Sequence, residues 1–399
     1  MSIRRLKNRN AWVAPFDHNW SSGAKCEIEY MTDVIRHRQG QEQRHAIRQE
    51  PRINMDVTGV LTETKLQVFR AEMVYRQTHP FAAKTPWRRV ALAGSALAGE
   101  TEIELESAPF WVQPGVKLIL EDLVSLKLAT VASVDGATVT LEDPLDETIS
   151  GTHGRAHEAH WYYVPDEIGM THPVDGVATF GVDLLQVPGS GPISFMPQDR
   201  PTYNSLPLFM DRPNWSSAVN LSLRREREVF DPGMHRSFVW SPVDYSELGT
   251  TSNKFEFDRD KAENALGFFA AMRGKQGAFW APDWTKSFEH LGLASGRLRI
   301  PGPEFRQAYE GSPVFDRLIH FRPDGTYQIN RVVQYHTVGE ETQLQFANAW
   351  QQSITASSKL RWLLLQRFST DKITPEWLTS KVCQIQMATT TLRTSEVSP

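Results

Sequence analysis

Three histidines stand close together in Thr152-His153-Gly154-Arg155-Ala156-His157-Glu158-Ala159-His160. Spacings of four and three would bring His153, His157 and His160 onto one helical face, and imidazole is a good zinc ligand. The segment reads instead as part of a strand hairpin, where alternation splits such a face. Loop histidines are the simpler reading, with these three as the metal candidates. Asp258 and Asp260 resemble the start of a calcium loop, but Ala262 and Asn264 follow where ligands are needed and no glycine takes the sixth position. Helix capping explains them better. Glu100, Glu102, Glu104 and Glu106 alternate along Glu100-Thr101-Glu102-Ile103-Glu104-Leu105-Glu106. A glycosidase needs two carboxyls converging across a cleft, whereas a row along one strand face is a solvated face. The chain has no glycine-rich phosphate loop, no dinucleotide fingerprint and no nucleophile elbow. Neither Cys26 nor Cys383 has a companion at metal-binding spacing. No catalytic constellation and no cofactor are implied, so the chain is not read as an enzyme.

The elements that would have to position any such site occur twice. Asn19-Trp20-Ser21-Ser22 recurs letter for letter as Asn214-Trp215-Ser216-Ser217. Downstream of each copy a helical stretch runs into an aromatic, proline-bearing turn. It reads Phe81-Ala82-Ala83-Lys84-Thr85-Pro86-Trp87 first and Ala278-Phe279-Trp280-Ala281-Pro282-Asp283-Trp284 second. Val139-Thr140-Leu141 and Thr342-Gln343-Leu344 follow in the same order. The offset between copies drifts from 195 to 203. A long-period repeat of this kind argues for two related domains. Near Ser353 to Lys359, where the second copy would repeat the histidine cluster, it has no histidine.

Composition bounds the function. A chain of 399 residues can hold two domains, each with its own core. The net charge of −4 argues against a global grip on nucleic acid. Two cysteines in strand-like segments read as buried free thiols in a reducing compartment. No apolar run reaches the roughly 18 residues needed to span a bilayer, so no stable membrane insertion is expected.

Along the chain, residues 1–11 form a basic arm. The first copy covers 12–187. It starts with strand alternation at Cys26-Glu27-Ile28-Glu29-Tyr30, turns near Gly40 and returns over Arg44 to Met55. Leu66, Phe69 and Met73 fall on one helical stripe. Short strands with tight turns, such as Asp135-Gly136, suggest an inserted small β-barrel at about 93–163. Residues 188–213 carry six prolines and read as a stiff surface connector. The second copy covers 214–399, with its inserted barrel at about 293–366. Its helix carries Ala262, Leu266, Phe269 and Met272 on one stripe, with Asp260 and Glu263 as a capping pair. Phe81, Pro86 and Trp87, with Phe279, Trp280, Pro282 and Trp284, are expected to pack each helix onto its sheet. The fold expected is mainly β with a short helix per copy.

A long hairpin, a helix, the turn Gly274-x-x-Gly277-x-Phe279-Trp280-x-Pro282 and a run of short strands resemble tail-tip proteins of long-tailed bacteriophages. The relatives suggested are distal tail and baseplate hub proteins. In the first copy Thr78 and His79 stand near the glycine positions, so the pattern there is weaker. The resemblance implies a tandem duplication of a tube-like split β-barrel domain carrying a small inserted β-barrel. It implies a structural ring below the tail tube of the virion, assembled in the host bacterial cytoplasm. The ring would link tail tube and tape measure to hub, fibres or receptor-binding proteins, and DNA would meet it only in passage through a central channel. The partner expected first is the chain itself. A trimer offering six domains is favoured, with a hexamer as the alternative. Arg36 and Arg38 of one copy would face Glu226 and Glu228 of the next across the subunit interface. The competing class is a carbohydrate-binding or hydrolytic virion protein.

Overall fold

A computed structural model describes residues 12–394, apart from 38–40, 77–78, 166, 190–193, 216–218, 225–226, 232, 234–235, 242–246, 286–288, 352 and 356. The protein is mainly β: 51% of it is strand, with three helices and one large antiparallel sheet. The first half runs β1 (Ala24–Arg36), β2 (Glu42–Thr62), α1 (Glu63–Arg76) and β3 (Phe81–Ala91). Four short strands follow, β4 (Glu102–Glu104), β5 (Lys117–Glu121), β6 (Leu126–Asp135) and β7 (Thr138–Leu141). Then come β8 (Arg155–Tyr163), β9 (Gly169–Val174) and β10 (Val177–Gln186). A small hairpin, β11 (Thr202–Tyr203) and β12 (Leu206–Pro207), leads to β13 (Asn220–Arg224). Next are the hairpin β14 (Glu228–Phe230) and β15 (Phe238–Trp240), β16 (Glu247–Asp258), α2 (Arg259–Met272) and β17 (Phe279–Pro282). The remainder is β18 (Gly292–Ala294), β19 (Arg297–Pro301), α3 (Glu304–Tyr309), β20 (Arg317–Phe321), β21 (Tyr327–Val338) and β22 (Glu341–Phe346), then β23 (Lys359–Phe368), β24 (Lys372–Ile373), β25 (Glu376–Trp377) and β26 (Val382–Thr391).

Alternation drives the first sheet. Ala24, Cys26, Ile28 and Tyr30 turn inward from β1 while their neighbours face out. β2 pairs β1 on one side and β10 on the other, and β10 also pairs β8, which pairs β3. In the second half β16 pairs β13 and β26, β26 pairs β23, and β23 pairs β17. The halves meet edge to edge. β1 takes β24 and β25 as its second neighbours, and β25 pairs β26. The result is one continuous sheet in the order β13-β16-β26-β25-β1-β2-β10-β9.

Contrary to what composition suggested, the core does not divide between the two halves of the chain. One cluster holds Cys26, Ile28, Tyr30, Phe69 and Phe180 together with Phe255, Phe268, Phe269, Phe368 and Trp377. The helices pack there because their stripes are apolar: Leu66, Phe69 and Met73 are buried on α1, and Ala262, Leu266 and Phe269 on α2. Phe69 of α1 meets Phe180 at 4.9 Å between centroids, and Phe269 of α2 meets Tyr30 of the other half at 6.0 Å. Asp258 caps α2, its side chain accepting from the Lys261 N–H. The expected cap pair Asp260 and Glu263 does not form, because Glu263 is drawn inward by a charge described below. Arg273 and Gly274 close the helix in the left-handed region, at φ 50° and 63°.

The short strands form two side ladders with their own small cores, one around Leu118 and Val131 and one around Leu318 and Trp362. Their orders are β4-β7-β6-β5-β8 and β18-β19-β22-β21-β20-β23. No closed barrel is found among the described residues. β4 spans three residues and pairs β7 as a strand, and residues 104–106 meet the end of β3 through the Ala93 N–H to Glu104 and Glu106 N–H to Ala91 backbone bonds.

Two further expectations differ from the structure. The aromatic segments are strands, not turns. Phe81–Ala91 pairs β8, and its register breaks between Lys84 and Arg89. That irregularity accommodates Pro86, which has no N–H to give the ladder. The connector is not confined to the surface: Leu208 and Phe209 are buried, and Phe209 stacks on Phe268 at 5.0 Å. Apolar side chains at its end draw it into the second half.

Trp280 is fully buried beneath the Arg317 guanidinium, 4.7 Å away, and beside Tyr203. Trp284 is half-buried and stacks on Phe321 at 5.4 Å, with Arg212 and Arg361 each 5.3 Å from its ring. Trp280→Ala is therefore expected to cost about 3–5 kcal/mol in urea unfolding, and Trp284→Ala distinctly less. Equal losses would show that the burial difference does not govern this strand.

Candidate functional site

The chemistry-bearing residues concentrate where the halves meet. Arg88 lies on β3, Glu158 on β8, and Glu263 on α2 of the other half, 175 residues from Arg88. All three are buried. Arg88 Nη1 donates to both Glu158 oxygens at 2.8 and 2.9 Å. Its Nε and Nη2 donate to the two Glu263 oxygens at 2.8 and 2.7 Å. One planar guanidinium thus makes a bidentate fork to each half of the chain. Burial alone penalises the guanidinium, but the two carboxylates hold its pKa above the usual arginine range. Burial likewise pushes Glu158 up, and Arg88 and then His160 pull it down to about 2. Gln186 Nε2 sits 3.1 Å from His160 Nδ1. His160 Nε2 faces Glu158 at 3.5 Å.

Around this centre the joint is layered. Trp87 stacks on Trp377 of the other half at 5.0 Å and 10°. The Cys26 N–H donates to the Pro375 carbonyl at 3.1 Å and the Tyr30 N–H to the Asp371 carbonyl at 2.9 Å. Asp371 also binds the Thr32 N–H through its side chain at 2.8 Å and the Lys275 N–H at 2.9 Å. Lys372 pairs Glu27. Cys26 and Cys383 are free, buried thiols here, and burial pushes the Cys26 thiol up to about 12. Such thiols are poor nucleophiles at neutral pH.

A cavity of about 250 Å³ opens beside the N-terminal segment, lined by residues including Asp17, Lys84, Pro86, Glu121, Arg155 and His157. Lys84 Nζ holds Asp17 at 2.5 Å and Glu121 at 2.8 Å. His157 Nε2 lies 2.8 Å from Glu121 without hydrogen-bond alignment. Burial raises Glu121, while His157 and Lys84 bring it down to about 2. Lys84 thus engages both the Asp17 and the Glu121 carboxyl.

The residues expected to share a site are dispersed. His153 is exposed at a turn, His157 faces the cavity, and His160 faces the Arg88 centre on the opposite side of β8. Strand alternation splits the three, and no group of three or more potential metal ligands occurs among the described residues. Asp258 serves as a helix cap and Asp260 lies exposed in the first turn. Of the aromatic set, Phe81, Trp87, Phe279, Trp280 and Pro282 are buried, and Pro86 and Trp284 are half-buried. Arg36 is engaged inside the chain: its Nε donates to Glu42 at 2.6 Å, and Arg367 grips the same carboxylate at 2.7 and 3.0 Å. Glu228 is exposed on β14. Arg38 and Glu226 lie outside the described residues. Arg88, Glu158, Glu42 and Arg367 were not singled out from sequence, and Glu263 was read only as a helix cap. Among the described residues no helix is long and apolar enough to cross a membrane.

No protein-family model matches the chain, and no curated protein matches it. The class of the protein therefore rests on the pairing pattern and the joint.

Removing Arg88 leaves two carboxylates buried together. Arg88→Met should cost about 3–5 kcal/mol, and replacing Glu158 and Glu263 by Leu in the same chain should recover most of it. Urea unfolding at pH 7 measures both, and no recovery in the triple variant would contradict the charge argument. Glu158 and Glu121 titrate below their ordinary 4.5 in the folded chain. Their stabilisation is complete above that value and is lost as pH falls toward 2. The melting temperature should hold from pH 7 to 5 and drop steeply between about pH 4.5 and 2; a flat profile through that window would be the opposite result.

Proposed function

We propose that this protein is a structural ring component of a bacteriophage tail tip, built from a duplicated tube-type domain. What supports the duplication is the agreement of strand partners. Lys25 lies opposite Asp56 as Asn220 lies opposite Ser252. Val182 opposes Val57 as Met387 opposes Asn253. Tyr162 pairs Phe81 as Gln366 pairs Phe279. The Asn19 and Asn214 amides of the repeated tetrapeptide donate to the Thr58 and Lys254 carbonyls at 2.7 Å each. Each half carries its short-strand ladder between the corresponding strands, as a tube-like split barrel with an inserted small barrel would.

The single observation that carries the ring is the edge-to-edge joint between halves. Joining two similar units head to tail through a sheet edge leaves one unused edge at each end, and such heterologous contacts close into rings when the rotation allows. Three chains would give six similar units around a channel, which suits a six-fold tube above and three-fold parts below. In this reading the protein has no catalytic role, and DNA passes through without a sequence-specific grip. The carbohydrate-binding alternative needs free carboxylates or exposed aromatics lining a cleft. The cavity's carboxyls are occupied by Lys84 instead.

Native mass measurement and class averages of the purified protein test the proposal. The expected particle is a ring with an open lumen and a mass of three 45.3 kDa chains. A six-chain ring would remove the pseudo-six-fold argument and keep the tail assignment, whereas a monomer that binds polysaccharide would contradict both.

A further inference from the structure

We propose that the joint between the two halves is repeated between chains, with a second copy of this protein as the partner and an apolar contact in place of an ionic one. The inference rests on the ring reading and names its contact surface. Strand partners fix which residues correspond. Lys25 and Asn220 hold the same place, as do Glu376 and Thr171, since Thr171 pairs Thr179 as Glu376 pairs Gln384. Within the chain Lys25 pairs Glu376. The same joint between chains sets Asn220 of one copy opposite Thr171 of the next, and residues 220–224 alongside 167–171. Both edges are open: β13 pairs only β16, and β9 pairs only β10, among the described residues. The β9 edge is exposed along nearly its whole length.

The hairpin above the edge supplies the second observation. In the first half the last pair, Arg36 opposite Glu42, reaches across the joint to Arg367. The last described pair of the second half's hairpin is Phe230 opposite Phe238. Tyr163 holds the place of Arg367, because it pairs Leu185 as Arg367 pairs Thr390. The charged contact within a chain thus becomes Phe230, Phe238 and Tyr163 between chains. Both phenylalanines stand largely in water in the isolated chain. Phe230 is 67% exposed and Phe238 65%, flanked by exposed Val229 and Val239. An apolar hairpin left in water is a binding surface awaiting its cover, and a half-buried tyrosine at the matching place on the next copy provides one. The division also makes sense chemically. An ionic clamp suits a joint made once during folding, and apolar burial suits one made on assembly.

The test uses the full chain. Mixing Asn220→Cys protein with Thr171→Cys protein and oxidising should give disulfide-linked mixed dimers, while the double variant should give a covalent closed trimer. Antiparallel partners stand about 4.5–5.5 Å apart at Cα, within disulfide range, and the buried native thiols stay out of the reaction. Phe230→Glu with Phe238→Glu should abolish the ring and leave the melting temperature within about 2 °C, because both side chains are already in water. An intact ring in that variant overturns the proposal. So does self-linking of Thr171→Cys protein alone, which would mean that like edges pair. A wild-type ring that forms without cross-links removes this joint only; a wild-type chain that forms no ring removes the ring reading as well.

Discussion

One guanidinium between two carboxylates holds the centre of this protein. Arg88 reaches Glu158 in its own half and Glu263 in the other, and the three lie out of water. Desolvating three charges is costly, so such a triad contributes little net stability over well-packed apolar groups. Its consequence is specificity. With the fork satisfied on both sides, α2 can sit in one register against β3, and Trp87 finds Trp377.

From that constraint the sheet follows. Once α2 is pinned, the segment carrying Asp371, Pro375 and Trp377 lies against β1, and the Cys26, Tyr30 and Thr32 amides find acceptors there. An edge strand that would otherwise stand open is covered by the other half. Among the described residues, β9 and β13 stand at the two ends of that sheet.

Much of the fold was legible in the sequence because its signals are local. Alternation from Cys26 to Tyr30, the stripe Leu66, Phe69 and Met73, and the Asp135-Gly136 turn each report on neighbours a few residues away. The repeated tetrapeptide gave the order of elements. What stayed hidden is long-range. Glu263 sits where a capping residue belongs, and nothing within a turn of it announces a partner on β3. Arg36 reads as a free surface charge, and only the tertiary fold brings Glu42 and Arg367 to it. Pro86 argued for a turn, since a break in the ladder that lets proline into a strand has no sequence mark. The histidine cluster looked promising for the opposite reason: a helical spacing was laid over a strand.

The two halves form one sheet through β1 and the β24–β25 segment. Amide hydrogen exchange at Cys26, Tyr30 and Thr32 tests it most directly. If these N–H groups donate to Pro375 and Asp371, their protection should approach that of the global unfolding free energy, and Arg88→Met should lower it at all three together. Exchange as fast as that of an open edge strand, in a chain whose other strands are protected, would show that the halves part freely and would contradict the account.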